Sequence, residues 1–237
     1  MCGRAYHVYT EEQLEAEIEV ISEWNKRRRN PLKNLKPNYN LCPTQETPVI
    51  FYKKNDLQID LFRWGLVPFW AKSVKDASKY SLINAVSEEI DEKRSYKAAF
   101  KSRRCLVPLS GFYEWHRPSE GHKTPFAITL KTAPIMTVAG VWEYWESEEG
   151  RDKLYSFSIL TTQANSFMKK IHSRMPVIID QKHHQQWLDP ENQNLEGLKK
   201  LFKPCSSKLL KAWEISTLVN SPKNNRQEIL DKVHLDA

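Results

Sequence analysis

Residues 105–116 read CLVPLSGFYEWH. Cys105–Leu109 and Phe112–Trp115 are two short apolar runs parted by Ser110-Gly111, a pattern of consecutive strands. Working outward, Phe126–Leu130, Ile135–Trp142 and Tyr155–Thr161 read as further strands, with Pro118 and Gly121 punctuating the turn before the first of them. Upstream, residues 48–63 read as a hairpin. Val49 to Tyr52 form one arm, Asn55-Asp56 the turn, and Leu57, Ile59 and Leu61 alternate along the other. Val177–Ile179 is one more expected strand.

Helices flank this strand-rich middle. Thr10 and Gln13 form a capping-box pair, and Leu14, Ile18, Ile21 and Trp24 recur at helical spacing, so residues 11–29 read as an amphipathic helix. It closes on Lys26-Arg27-Arg28-Arg29, where positive charge suits the helix C-terminus. Shorter helices are expected at Asn165–Ile171, Lys182–Leu188 and Leu195–Phe202. Strands in the middle and helices at the flanks argue for α+β rather than alternating α/β. No linker or repeat divides the 237 residues, which read as one domain with a polar, loose tail from about 225 to 237.

Composition bounds the function. Lys+Arg 36 against Asp+Glu 29 leaves +7, which favours a polyanionic partner mildly and serves equally as solubilising surface charge. No apolar stretch of about 18 residues exists, so no membrane span is expected, and the first fifteen residues hold no signal-peptide core. Cys2, Cys42, Cys105 and Cys205 form no CxxC pair and no disulfide framework. Reduced thiols and a cytoplasmic location follow as expectations, with no metal and no cofactor. Cys42 reads as packing.

Four stretches carry polar groups that packing does not require: MCGR (1–4), INAVSEE (83–89), GFYEWH (111–116) and IHSRMPVII (171–179). Taken singly, each has an ordinary reading. Asn84 suits a helix cap, His172 a surface or core histidine, and Glu114 an outward-facing strand residue. By alternation Glu114 shares a side with Phe112 and His116, opposite Tyr113 and Trp115. On a partly aromatic face its carboxyl pKa would rise, as a proton donor near neutral pH requires. In RWGLVPFWAK (63–72), Trp64 reads as buried, whereas Phe69 and Trp70 lie in a Gly/Pro loop where aromatics can stack on unpaired bases.

Cys2 is the unusual residue. Once Met1 is removed it carries an α-amine and a thiol on adjacent carbons. That amine, with a pKa of roughly 7.7–8.0, is partly neutral at physiological pH. It can condense with an aldehyde to a Schiff base, as lysine amines do. The tethered thiol then adds to the imine carbon and closes a thiazolidine. The ring-opened sugar of an abasic site in DNA is one such aldehyde, on a polyanion.

Together with NYNLCPTQ, RWGLVPFWA, RRCLVPLSGFYEW, ILTTQAN and VNSPKNN, the four stretches make the chain resemble the SRAP family (SOS response-associated peptidase) along nearly its whole length. The resemblance implies covalent capture of abasic sites in single-stranded DNA, shielding the lesion during the DNA damage response. It assigns Cys2 as nucleophile, Asn84 as holder of the N-terminus, Glu114 as proton carrier and His172 as a group acting on the sugar oxygens. Arg4 and Arg174 would bind phosphates, with Thr161 a candidate beside them. Self-cleavage ahead of Cys2 is implied as well. Val86 departs from the arginine usual after the "NA" pair, which puts one phosphate contact in doubt. The expected architecture is a single domain, monomeric, with a strongly curved, barrel-like, mostly antiparallel β core and peripheral helices. On DNA it would be nucleoid-associated. Two other readings stay open: a peptidase with an N-terminal nucleophile that cuts other proteins, and a non-covalent single-strand binder.

Overall fold

The computed structural model describes residues 2–19, 32, 35–53, 56–118 and 121–233. In chain order the strands are β1 (Ala5–His7), β2 (Asn38–Leu41), β3 (Glu46–Lys53), β4 (Asp56–Trp64), β5 (Asn84–Val86) and β6 (Arg104–Leu109). They continue as β7 (Gly111–His116), β8 (Thr124–Leu130), β9 (Met136–Glu146), β10 (Lys153–Gln163), β11 (Arg174–Pro176) and β12 (Leu210–Glu214).

Five of these close on themselves. β4 pairs with β3, β3 with β6, β6 with β9 and β9 with β10, all antiparallel, and β10 returns to β4 in parallel. The second half of β10 is flanked by β5 in parallel and β11 antiparallel. The other five strands form an antiparallel sheet in the order β12-β8-β7-β1-β2. The expected α+β architecture with a barrel-like core is the one observed.

Alternation along the strands sorts the side chains into layers. Phe51, Phe62, Val107, Val138, Trp142 and Phe157 share one buried cluster, which continues onto Ala5, Phe112 and Ile128 of the five-stranded sheet. The opposite set, including Ile50, Leu106, Ala139, Val141 and Leu160, lies under the helices, against Leu14, Ile18, Phe100, Trp187 and Leu198. These come from α1 (Glu11–Glu19), α3 (Lys97–Ser102), α4 (His184–Leu188) and α5 (Leu195–Lys199), while α2 (Val74–Ser78) sits apart over Val67 and Trp145. The glycine that opens β7 is obligatory. A Cβ on Gly111 would overlap the Tyr6 hydroxyl and the Ile128 carbonyl. No helix among the described residues is long and apolar enough to cross a membrane.

The capping box forms as expected: the Thr10 N–H donates to Gln13 Oε1 at 2.9 Å and the Gln13 N–H to Thr10 Oγ1 at 3.2 Å. The helix they start is described as far as Glu19, and Ile21, Trp24, the basic run 26–29 and Asn55 lie outside the described residues. Three expectations differ. The strand placed at Val177–Ile179 pairs three residues earlier, over Arg174–Pro176, with Ile178 making only a bridge to Val138. Asn165–Ile171 gives one 3₁₀ turn, Met168–Lys170. The tail read as loose from 225 is held through Val233, because Ile229 is buried and the Val233 N–H donates to the Glu214 carbonyl.

Arg104 ties β6 to the segment around α4. Its buried guanidinium donates to the carbonyls of Phe100, Lys101, Trp187, Asp189 and Asn192. Burial lowers its pKa to about 10, so it stays charged at pH 7. Arg104→Ala strands those carbonyl acceptors and is expected to cost about 3 kcal/mol or more, read as a lower urea midpoint. Arg104→Lys should recover part of that loss.

Candidate functional site

The site is assembled by pairing β1 with β7. Ala5 lies opposite Phe112, and the Tyr113 N–H donates to the Arg4 carbonyl at 2.9 Å, which lays residues 2–4 alongside Glu114. Cys2 is 0% exposed and packs in the cluster that fills the barrel. Asn84 reaches it from the other side: its Nδ2 donates to the Cys2 carbonyl at 2.7 Å. Asn84 is no helix cap. It opens β5, opposite Ile159 of β10, and its carbonyl accepts from the Tyr96 hydroxyl at 3.0 Å. Its Oδ1 is buried without a partner among the described residues. Such an atom is costly unless a ligand satisfies it.

Glu114 sits where alternation places it, on the side of Phe112, while Tyr113 and Trp115 join a separate cluster on the other face of the sheet. It is buried rather than outward-facing. Burial pushes its carboxyl pKa up to about 7, against smaller opposing pulls, led by the positive charge of the chain's amino terminus and followed by the Trp115 backbone and the Arg117 guanidinium. The same burial, reinforced by the nearby Glu114 carboxylate, pushes the Cys2 thiol well above its ordinary value, so the resting thiol is protonated. His172 follows the Met168–Lys170 turn, where its N–H donates to the Met168 carbonyl at 2.8 Å. Its Nδ1 accepts from the Arg174 N–H at 3.0 Å, which puts the hydrogen of the neutral ring on Nε2. Burial first, and then nearby positive charge including Arg117, lower its pKa.

Glu114 and His172 line one polar cavity of about 350 Å³ with Trp115, Arg117, Lys123 and Asn220. A larger hollow of about 490 Å³ between Met136, Ile179 and Leu201 contains none of the four candidate catalytic groups. Among the described residues no cluster of His, Cys, Asp and Glu is arranged to hold a metal.

None of the remaining sequence candidates lines that polar cavity. Arg4 turns inward: its Nη1 donates to Asn40 Oδ1 at 2.7 Å and to the Val219 carbonyl at 2.6 Å. Arg174 is clamped by both Glu88 carboxylate oxygens, at 2.7 and 2.8 Å, and also donates to the Thr161 carbonyl. Thr161 is buried with its hydroxyl 3.5 Å from the Ala85 carbonyl, a packing position. Phe69 is 60% exposed, with Tyr80 also exposed nearby in sequence. Trp70 is half-buried, edge-on to Tyr80 and under the Arg94 guanidinium at 4.5 Å, so Phe69 offers the freer ring. Arg117, Lys123 and Asn220 were missed. Their only sequence signal is the Pro118–Gly121 turn and one asparagine in the VNSP stretch.

Glu114 binds its proton more tightly in the folded chain than in the unfolded one. Stability is therefore lost as pH rises from its ordinary 4.5 through about 7. Glu114→Gln removes that penalty. At pH 8 the variant is expected to be more stable than the parent by on the order of 2 kcal/mol, and at pH 4.5 to match it, in urea unfolding at both pH values.

The family described as SOS response associated peptidase (SRAP) matches residues 1–222. Abasic site processing protein YoaM of Bacillus subtilis (strain 168) is 38% identical over 231 residues, covering 98% of each chain. Abasic site processing protein HMCES of Pongo abelii is 34% identical over 252 residues, covering 91% of this chain and 69% of that protein. The crystal structure of a Bacteroides thetaiotaomicron protein superposes with a TM-score of 0.83 at 26% identity, over 98% of this chain and all of that one, 100%. A match over residues 1–222, a range that takes in Cys2, Asn84, Glu114 and His172, makes this chain a member of the SOS response associated peptidase family.

Proposed function

We propose that this protein processes abasic sites in single-stranded DNA by capturing the opened sugar on Cys2. The observation that carries this reading is the Asn84 Nδ2 bond to the Cys2 carbonyl, which holds the head of the chain beside a carboxyl that titrates near neutrality. The relatives named for abasic site processing cover almost the whole chain and support it.

Removal of Met1, by hydrolysis of the Met1–Cys2 peptide at this same site, frees the α-amine of Cys2. The neutral amine adds to the C1′ aldehyde to give a carbinolamine. Protonated Glu114 donates to the departing hydroxyl, and water and the Schiff base result. Glu114, now ionised, accepts the thiol proton as sulfur adds to C1′, and the nitrogen of the protonated Schiff base keeps its one hydrogen as the N–H of the ring amine. The sum is aldehyde plus aminothiol giving thiazolidine plus water. A thiol held protonated needs a base at the moment of attack, and a carboxyl near pKa 7 is matched to give and take that proton in turn. His172 Nε2–H suits donation to a sugar oxygen during ring opening. The exposed Phe69 ring suits stacking on an unpaired base, which favours single strands. The protein would act as a monomer in the cytoplasm, on the nucleoid.

With an abasic single-stranded oligonucleotide, the protein is expected to form an adduct that survives denaturation without borohydride. Its intact mass should equal the chain lacking Met1 plus the DNA minus one water. Cys2→Ala, prepared with Met1 already removed, keeps the amine and loses the ring, so its adduct should appear only when borohydride is added. An extra residue left in front of Cys2 should abolish the adduct that forms without borohydride, because thiazolidine closure needs amine and thiol on one residue. A stable adduct from Cys2→Ala, or from protein that retains Met1, would sink the thiazolidine mechanism. Hydrolysis of unrelated peptides that disappears in Cys2→Ala would favour the peptidase reading instead.

A further inference from the structure

The hollow of about 490 Å³ between Met136, Ile179 and Leu201 has a neighbour of about 480 Å³. Leu130 and Ala133 line both, which joins them into one groove around the connection from β8 to β9. Neither hollow contains Cys2, Asn84, Glu114 or His172. The first is walled mainly by apolar side chains, and Leu209 stands at it 46% exposed. Apart from Phe69 and Tyr80, no large apolar side chain among the described residues is more exposed. The second is polar, with Ser110 and Thr129 in its wall. Lys200 and Lys203 border the first hollow, and Lys131 and Lys211 the second. All four are exposed, and none pairs with a carboxylate among the described residues. Two carboxylates line the groove. Asp180 lies 3.4 Å from Lys182, and Glu17 lies 3.8 Å from the buried His184. The charge left unpaired is therefore positive. A second copy of this chain, at +7, would meet it with like charge. A single-stranded nucleic acid would find no ring to stack on, because Tyr6 and Tyr9, the aromatic residues of the groove, are 3% and 5% exposed.

We propose that this groove docks an acidic, extended peptide segment of a partner protein. The apolar side chains of the segment fill the hollow beside Met136 and Leu209, and its carboxylates lie along Lys131, Lys200, Lys203 and Lys211. An apolar centre inside a polar rim is the anatomy of a specific interface. The side chains seated in the hollow carry most of the affinity, while the rim lysines set the encounter rate and exclude partners of the wrong charge. Because the groove holds none of the reactive residues, the partner leaves the Glu114 cavity open. The docking stands independently of the reaction at Cys2.

The test titrates the full-length protein into a fluorescein-labelled peptide, Gly-Asp-Asp-Asp-Leu-Phe-Leu, and reads anisotropy. Saturable binding is expected, about tenfold tighter than to the same peptide with Asn for Asp, or with Ser for its apolar residues. Leu209→Asp should weaken binding about tenfold by placing a charge at the apolar hollow. Lys131→Glu/Lys211→Glu should weaken it to a similar degree and flatten its salt dependence. Lys131→Arg/Lys211→Arg should keep the parent's affinity, which separates charge from folding. Absence of saturable binding by the parent would overturn the docking, and so would an affinity that neither the Asn peptide nor Leu209→Asp changes. Displacement of the peptide by an oligothymidylate that binds Leu209→Asp as tightly as the parent would overturn it in favour of nucleic acid. Self-association of the parent that Leu209→Asp abolishes, without peptide binding, would give the groove to a second copy instead.

Discussion

The arrangement depends on one antiparallel contact, the pairing of β1 with β7 through the Tyr113 N–H and the Arg4 carbonyl. The first residues of a chain ordinarily fray. Here β1 is an interior strand of its sheet, with β7 on one side and β2 on the other, so the segment from Ala5 is pinned from both edges. Arg4 adds a third anchor by reaching Asn40 and the carbonyl of Val219, more than two hundred residues away in sequence. Three residues ahead of that strand, Cys2 is fully buried, and Asn84 holds its carbonyl with one hydrogen bond.

Burial then decides the protonation states. A cysteine acting as a resting thiolate sits in an electropositive, partly exposed setting that lowers its pKa. Cys2 has the reverse: full burial and a carboxylate neighbour. This is a poor environment for a peptidase thiolate and a suitable one for an amine-first reaction, where sulfur is called on only after the imine has formed. Glu114 is shifted toward neutrality by the same loss of solvent. One physical cause therefore keeps the thiol protonated and lifts the carboxyl toward neutrality.

The strand core and the side of β7 that carries Glu114 were legible because both rest on period-two alternation over runs of five or more residues. The Thr10–Gln13 cap was legible because its partners are three residues apart. Asn84 taken alone suits a cap, and its strand escapes notice because β5 has three residues, too few to show a period, and exists only through its pairing with β10. β1, at three residues, was invisible for the same reason. Thr161 looked available because a strand end is usually exposed, yet β5 and β11 both cover that end of β10. Each of these errors concerns a residue whose surroundings come from distant chain.

The arginines carry that reasoning furthest. In sequence, Arg4 and Arg174 stand beside the reactive groups and look like phosphate ligands. In the fold they are tension members: Arg4 braces the terminus against the VNSP stretch, and Arg174 joins β11 to the turn after β5 through Glu88. Loops on a rigid scaffold are where binding residues concentrate, whereas both arginines hang on bonds that the sequence does not announce, to the Val219 carbonyl for one and to Glu88 for the other.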